Sequence, residues 1–421
     1  MTSRRIAILT FHAAFNCGAR LQAWALQQVL RDFGFEPEFP DGVKVGYVPR
    51  FTRIRHRGLS LFQTVMRELG ALGFEDVRRW RFGRFSRRHL NVVPVAAGDV
   101  ERRYESVLVG SDQVWNTGIT RLEAGYFLAT VFNRPELRRY SYAISLGDSM
   151  PPDARIPILS AAAGLFENLS FRENLVPGLR DRHGRPASVD PDPTLLLDRA
   201  AFDAVACPRR LVRKPYLLVY SLVYNANTWA AAREMAKRLG LKLVIVQNYQ
   251  YGLYRLREGA GVRITVSPDR FLAYFRDAAA VITSSFHGTA FSLIYDKPFA
   301  VLPNHDGRVP RRSAELLAAL DERKHLVDLP TDFAALAAAL GESPKPEAHA
   351  RLARLRAEAR DRLRAALPDL SALPPPPVPV SGSAWTWPLR KLRGGCRCLA
   401  ENGICYTVRH LVGKILRGVG L

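Results

Sequence analysis

The residues best placed for chemistry are Ser284-Ser285-Phe286-His287-Gly288-Thr289, set between two apolar runs. Ala280-Val281-Ile282-Thr283 reads as the end of a buried strand, and the stretch through Ile294 has helical spacing. A strand that turns directly into a helix offers unpaired backbone N–H groups and a positive dipole end, which favour phosphate or carboxylate. His287 would sit at the mouth of that anion site, where an imidazole can exchange protons near neutral pH. Ser and Thr are also ordinary N-cap residues, so a plain helix start is the competing reading.

Four further segments carry polar side chains at strand ends. Asn16-Cys17-Gly18-Ala19 follows the first strand, where Asn16 and Gly18 allow a tight turn into a helix; it is not a dinucleotide fingerprint. Gly110-Ser111-Asp112-Gln113-Val114-Trp115-Asn116 combines hydrogen-bonding groups with an aromatic platform, a mix suited to sugar hydroxyls. Arg172 emerges from Leu169-Ser170-Phe171 and could hold a carboxylate or phosphate in a bidentate grip, or pair with Glu173 or another acid. In Asp190-Pro191-Asp192-Pro193-Thr194 the prolines fix an extended turn, for which a structural role is the first expectation.

Elements that could position these groups alternate along the chain. Ile6–Phe11, Ser106–Val109, Tyr140–Ser145 and Leu169–Phe171 read as strands, with helices at Gly18–Phe33 and Ile156–Leu165. A basic helical insert occupies about 50–90. The pattern breaks around Asp198–Lys214 and resumes with strands at Tyr216–Tyr220, Leu243–Val246 and Ala280–Thr283. Helices are expected at Thr228–Leu239, Pro268–Ala278, after His287, and through Asp332–Leu367. This is an α/β pattern: two Rossmann-like domains, 1–200 and 201–370, facing a cleft, with ligands at the carboxyl ends of the strands. A proline-rich linker at 371–380 and a basic aromatic tail at 381–421 follow.

The chain has 421 residues and a formal charge of +22. Such a surplus suits nucleic acid, anionic membrane or acidic substrates, yet arginine far outnumbers lysine, so codon bias can account for part of it. Trp385 and Trp387 among Arg390, Lys391 and Arg393 suit an interfacial helix on an anionic membrane, or a helix docked back on the enzyme. No apolar run nears the roughly 18 residues of a membrane span, and the N-terminus reads as a strand rather than a leader. Cys17, Cys207, Cys396, Cys398 and Cys405 form neither an even framework nor CxxC pairs, so a reducing cytoplasm is expected and no metal is.

In this order the segments resemble the polysaccharide pyruvyl transferase family. The resemblance rests on Asn16-Cys17-Gly18-Ala19, Val109–Asn116, Tyr140-Ser141-Tyr142-Ala143, Ser170-Phe171-Arg172-Glu173, Asp192-Pro193-Thr194 and Ser285-Phe286-His287-Gly288-Thr289, and spans most of residues 5–305. It implies a GT-B-like fold and a reaction that moves the pyruvyl group of phosphoenolpyruvate onto two hydroxyls of one sugar, as a cyclic ketal, with phosphate released. Phosphoenolpyruvate is then a co-substrate and no cofactor is required. On that basis Arg172, Ser284, Ser285, Gly288 and Thr289 are expected at the donor. Asn16, Gly18, Ser111, Gln113, Trp115 and Asn116 are expected at the acceptor, with His287 as acid/base and Asp112 orienting a hydroxyl. Some family members place Arg-Leu before the histidine where this chain has Ser285-Phe286, so either another arginine substitutes or this branch uses its donor differently.

The expected partners are a sugar or glycolipid acceptor and an anionic membrane surface, at the cytoplasmic face. A glycosyltransferase using a nucleotide sugar in the same frame is the alternative enzyme. A basic protein that binds nucleic acid or another anionic polymer is the non-enzymatic one.

Overall fold

The computed structural model describes residues 4–43, 77–116, 136–147, 156–173, 178–221, 226–247, 261–263, 265–304, 307–328 and 332–370. Most of the basic insert, the proline-rich linker and the aromatic tail lie outside the described residues.

The apolar runs become two parallel sheets. The first contains β1 (Arg5–Leu9), β2 (Glu36–Pro40), β3 (Val92–Val93), β4 (Ser106–Val109) and β5 (Arg138–Ser141), in the order β3-β2-β1-β4-β5. A short parallel pair, β6 (Ser170–Phe171) and β7 (Ser188–Val189), joins it through Ile144, which bridges both Asp112 and Phe171. The second sheet repeats the plan with β8 (Tyr216–Ser221), β9 (Lys242–Gln247), β10 (Gly261–Arg263), β11 (Ala280–Thr283) and β12 (Phe299–Val301), in the order β10-β9-β8-β11-β12. All of β8 and β11 is buried, which is why their sequences are nearly continuous apolar runs rather than alternating ones.

In each sheet the strand order reverses beside the first strand, between β1 and β4 and between β8 and β11. Crevices of doubly wound sheets open at such points. The polar loops after β1, β4 and β11 therefore all stand where a ligand can enter.

Helices pack on both sheets: α1 (Cys17–Asp32), α2 (77–89), α3 (Ile156–Ala163) and α4 (Arg199–Val205), then α5 (Ala226–Arg238), α6 (Pro268–Asp277), α7 (Phe286–Ile294), α8 (Arg311–Leu320), α9 (Phe333–Gly341) and α10 (Pro346–Ala366). Asn16 caps α1 by accepting from the Ala19 amide at 3.2 Å, and Gly34 beyond its end takes φ +86. Asp198 caps α4 in the same way through the Ala201 amide, at 2.9 Å, inside the stretch where the sequence pattern breaks. The helical stretch expected over Asp332–Leu367 is divided in two, because Pro344 and Pro346 cannot donate to a helical ladder. The strand expected through Ser145 stops at Ser141, and Ala143 beyond it has φ +46.

One apolar core crosses between the domains. Phe202 on α4 touches Trp24 on α1 at 5.4 Å and Phe291 on α7 at 5.1 Å, ring centre to ring centre. Arg81 on α2 donates to the Thr265 carbonyl at 2.7 Å. The last helix, α10, returns to the first domain: Arg356 donates to the Leu195 carbonyl, Arg360 pairs with Asp32 and Arg362 with Asp190. Among the described residues no helix is long and apolar enough to cross a membrane.

Candidate active site

The site begins with the turn 190–194, whose prolines leave few amides to satisfy. Asp190 accepts from Ser170 and Ser188 and is held by Arg362, while the Tyr142 hydroxyl donates to the Pro191 carbonyl at 3.0 Å. Pinned on both sides, Asp192 turns one oxygen inward to accept from the Thr194 amide and hydroxyl, at 2.8 and 2.7 Å. Its other oxygen, Oδ2, lies 2.5 Å from Arg172 Nη2 and 3.6 Å from His287 Nε2. The turn that promised only a bend thus carries the carboxylate that joins the two strongest candidates.

Asp192 is wholly buried, and burial alone would push its carboxyl up. Arg172, the imidazole of His287 and the Thr194 hydroxyl outweigh that and hold it far below the ordinary carboxylate range. The expected partner of Arg172 next along the chain, Glu173, is directed elsewhere. Its Oε1 accepts from the Ser145 hydroxyl and the Leu146 and Gly147 amides, and burial raises its carboxyl despite nearby Arg312 and Arg172.

Arg172 keeps two donors in reserve. Nη2 also donates to the Ser111 hydroxyl at 2.6 Å, but Nε and Nη1 are buried with no hydrogen-bond partner. Its guanidinium carbon stands 5.1 Å from the ring centre of Phe286. Orphaned donors on a buried cation are costly unless a ligand completes them. Ser111, expected beside the acceptor, therefore belongs with the residue expected beside the donor.

His287 is 6% exposed and occupies the second position of α7. A Cβ on Gly18, near the start of α1, would overlap its ring, so the two domains touch here through a glycine and a histidine. Its Nε2 has no hydrogen-bond partner. Gly288 has a local reason: a Cβ there would overlap the Thr283 side chain at the end of β11. Ser284 exchanges a hydrogen bond with Ser221 at 2.9 Å, the Ser285 amide donates to Thr283 Oγ1, and Thr289 donates to Ser313 at 3.0 Å. These hydroxyls hold the turn in shape, while the N–H groups of the first turn of α7 remain its open donors.

The loop after β4 is built differently from the sugar platform that its composition suggested. Trp115 is 0% exposed and packs edge-on against Phe166 and Phe171 in the core of the first sheet, so it cannot stack on a sugar. It fixes the loop from beneath. Above it Asp112, at φ +74, accepts from the Gln113 amide, and Gln113 Oε1 accepts from Asn116 at 2.6 Å. Gly147 takes φ +97, a conformation that favours glycine, and lies against the Asn116 side chain. Asn16 is committed to capping α1.

Two residues escaped sequence reasoning. Tyr220, at the end of β8, has a buried hydroxyl with no hydrogen-bond partner, and burial, with Cys17 and Asp112 nearby, raises it. Arg312, in the first turn of α8, has its guanidinium carbon 5.7 Å from the centre of the same Phe286 ring that Arg172 covers. Neither lies in a motif; each arrives through the second sheet's topology. Among the described residues no cluster of three or more His, Cys, Asp or Glu is arranged to hold a metal.

No curated protein matches the chain in sequence. Solved structures resemble it at low identity. The calicheamicin glycosyltransferase CalG4 is 13% identical, covers 88% of this chain and 100% of its own, with a TM-score of 0.44. A UDP-N-acetylglucosamine 2-epimerase from Rickettsia bellii is 12% identical over 86% of this chain and 98% of its own, also at 0.44. The Methanocaldococcus jannaschii UDP-GlcNAc 2-epimerase is 12% identical over 84% and 99%, at 0.41. The profile of the polysaccharide pyruvyl transferase family matches residues 16–306, a span that takes in every residue of the Arg172–Asp192–His287 cluster, and the chain belongs to that family.

Proposed function

We propose that this protein transfers the pyruvyl group of phosphoenolpyruvate to two hydroxyls of one sugar, in a surface polysaccharide or its lipid-linked precursor, forming a ketal and releasing phosphate. The reading is carried by Arg172, a buried cation with two unused donors, set beside His287 through their shared Asp192. A donor with a carboxylate and a phosphate on one carbon needs a cation and amide groups: Arg172 is the cation, and the turn shaped by Ser284, Ser285, Gly288 and Thr289 offers the N–H groups at the start of α7.

In this mechanism a proton is delivered to the donor's methylene carbon, and the positive charge that forms on C2 is attacked by one sugar hydroxyl. The C2–O bond to phosphorus then breaks, phosphate leaving with the electron pair, and the second hydroxyl closes the ring. Two hydroxyl protons are lost and one is gained on carbon, so a single proton departs with the products. His287 moves protons at Nε2, steadied when charged by Asp192. Asp112, with Gln113 and Asn116, orients the acceptor. Work on a lipid-linked acceptor places the enzyme at the cytoplasmic face of the membrane, with 381–421 as its contact.

The test is phosphate release from phosphoenolpyruvate that depends on added acceptor, with a matching pyruvyl increment in the glycan by mass spectrometry. Nucleotide release from a nucleotide sugar instead would replace this reading with a glycosyltransferase.

A further inference from the structure

The first turn of α8 carries two arginines, Arg311 and Arg312, and no acidic residue. Cations at a helix N-terminus oppose the dipole, so a pair there calls for a reason. Arg311 has one of its own: it is exposed and pairs with Glu315 one turn on, at 2.6 Å. Arg312 is half-buried and points instead toward α7. Its guanidinium lies over Phe286, 5.7 Å from the ring centre, while that of Arg172 lies 5.1 Å from the same centre. The first turns of α7 and α8 are locked together, since Thr289 Oγ1 donates to Ser313 Oγ at 3.0 Å and both are fully buried.

Two guanidiniums and two helix N-termini therefore converge around one aromatic ring. Arg172 reaches it from the first domain and Arg312 from the second. Of the acids nearby, Asp192 is matched to Arg172 at 2.5 Å. Glu173, which feels both cations, is raised by burial and bound by three donors on its other side. Arg172 is 7% exposed, and its unpartnered Nε and Nη1 show where an anion would be received.

We infer that Arg312 is the second anion-binding cation of the donor site, taking the phosphate of an enol phosphate whose carboxylate is held by Arg172. This rests on the pyruvyl-transfer reading and deepens it: the substrate class is a small molecule with two anionic ends, one gripped from each domain. Phe286 is the spacer between them. Arg312 also supplies the cation that Ser285-Phe286 does not provide.

The two cations are separable with donor fragments. Calorimetric binding of phosphoenolpyruvate, inorganic phosphate and pyruvate is measured on the full chain and on Arg312→Gln, Arg312→Lys, Arg172→Lys and Arg311→Gln. A charge-assisted contact is worth about 1.5–3 kcal/mol, so Arg312→Gln should weaken phosphoenolpyruvate and phosphate on the order of 10- to 100-fold and leave pyruvate unchanged. Arg172→Lys should weaken phosphoenolpyruvate and pyruvate, Arg312→Lys should recover part of the loss, and Arg311→Gln should bind as wild type does. In turnover, Arg312→Gln should raise KM for phosphoenolpyruvate far more than it lowers kcat. Phosphate binding equal in wild type and Arg312→Gln, both folded by circular dichroism, would overturn the inference while leaving pyruvyl transfer intact. A wild-type protein that neither binds nor turns over phosphoenolpyruvate would overturn both.

Discussion

The ring of His287 fills the place where a side chain on Gly18 would stand, so the first turn of α1 in one domain is shaped to the candidate proton carrier of the other. Alanine is a better helix former than glycine by about 1 kcal/mol, so Gly18→Ala should be tolerated by α1 itself. Its methyl group must nevertheless displace the imidazole. Displacement of a reacting group by about 1 Å can cost on the order of 100-fold in rate. The expectation is a far-ultraviolet spectrum like wild type with phosphate release reduced at least tenfold; unchanged turnover would mean that the imidazole position is not catalytic.

His287→Ala should lower kcat by roughly 10²–10⁴ at saturating phosphoenolpyruvate, the usual contribution of a positioned acid or base. Turnover near wild type under those conditions would remove His287 from acid/base work.

Asp192→Asn leaves Arg172 buried without its counter-charge, a loss of about 3–5 kcal/mol in comparable buried pairs. The effect should carry a pH signature. The folded carboxyl lies well below its ordinary value of 3.8, so the native state binds fewer protons than the unfolded one and the stabilisation is present above that value. As pH falls below about 4 toward the depressed value, the advantage is lost. Thermal melts should therefore show a gap between wild type and Asp192→Asn that is flat from neutral pH to about 5 and narrows in stronger acid. A gap independent of pH would indicate a packing role only.

Trp115→Phe should lower the melting temperature while leaving KM for the acceptor within about twofold, since the indole is sealed between Phe166 and Phe171. A large rise in acceptor KM with little change in stability would restore the sugar-platform role that its neighbours suggested.

Strand and helix content was legible wherever burial on both faces forced unbroken apolar runs, as in β8 and β11. The cluster itself was only half legible. His287 and Arg172 stand out as polar residues at strand ends, but their bond is made by Asp192, 20 residues beyond Arg172 and 95 before His287. Its role depends on how β6, β7 and α10 pin one turn, which no local spacing encodes. Trp115 misled for the converse reason: composition tells that a loop holds an aromatic ring, but not which way the ring faces. Arg312 is one arginine among many, and only the locking of α7 to α8 separates it from the rest.

The passage of α10 back onto the first domain, together with the apolar core shared across α1, α4 and α7, bears on how this scaffold can be re-engineered. Exchanging a whole half for that of a relative would cut through side chains such as Phe202 rather than through a wet cleft, leaving mismatched greasy faces on both pieces. The transplantable parts are the strand-end loops, grafted singly onto an intact two-sheet frame.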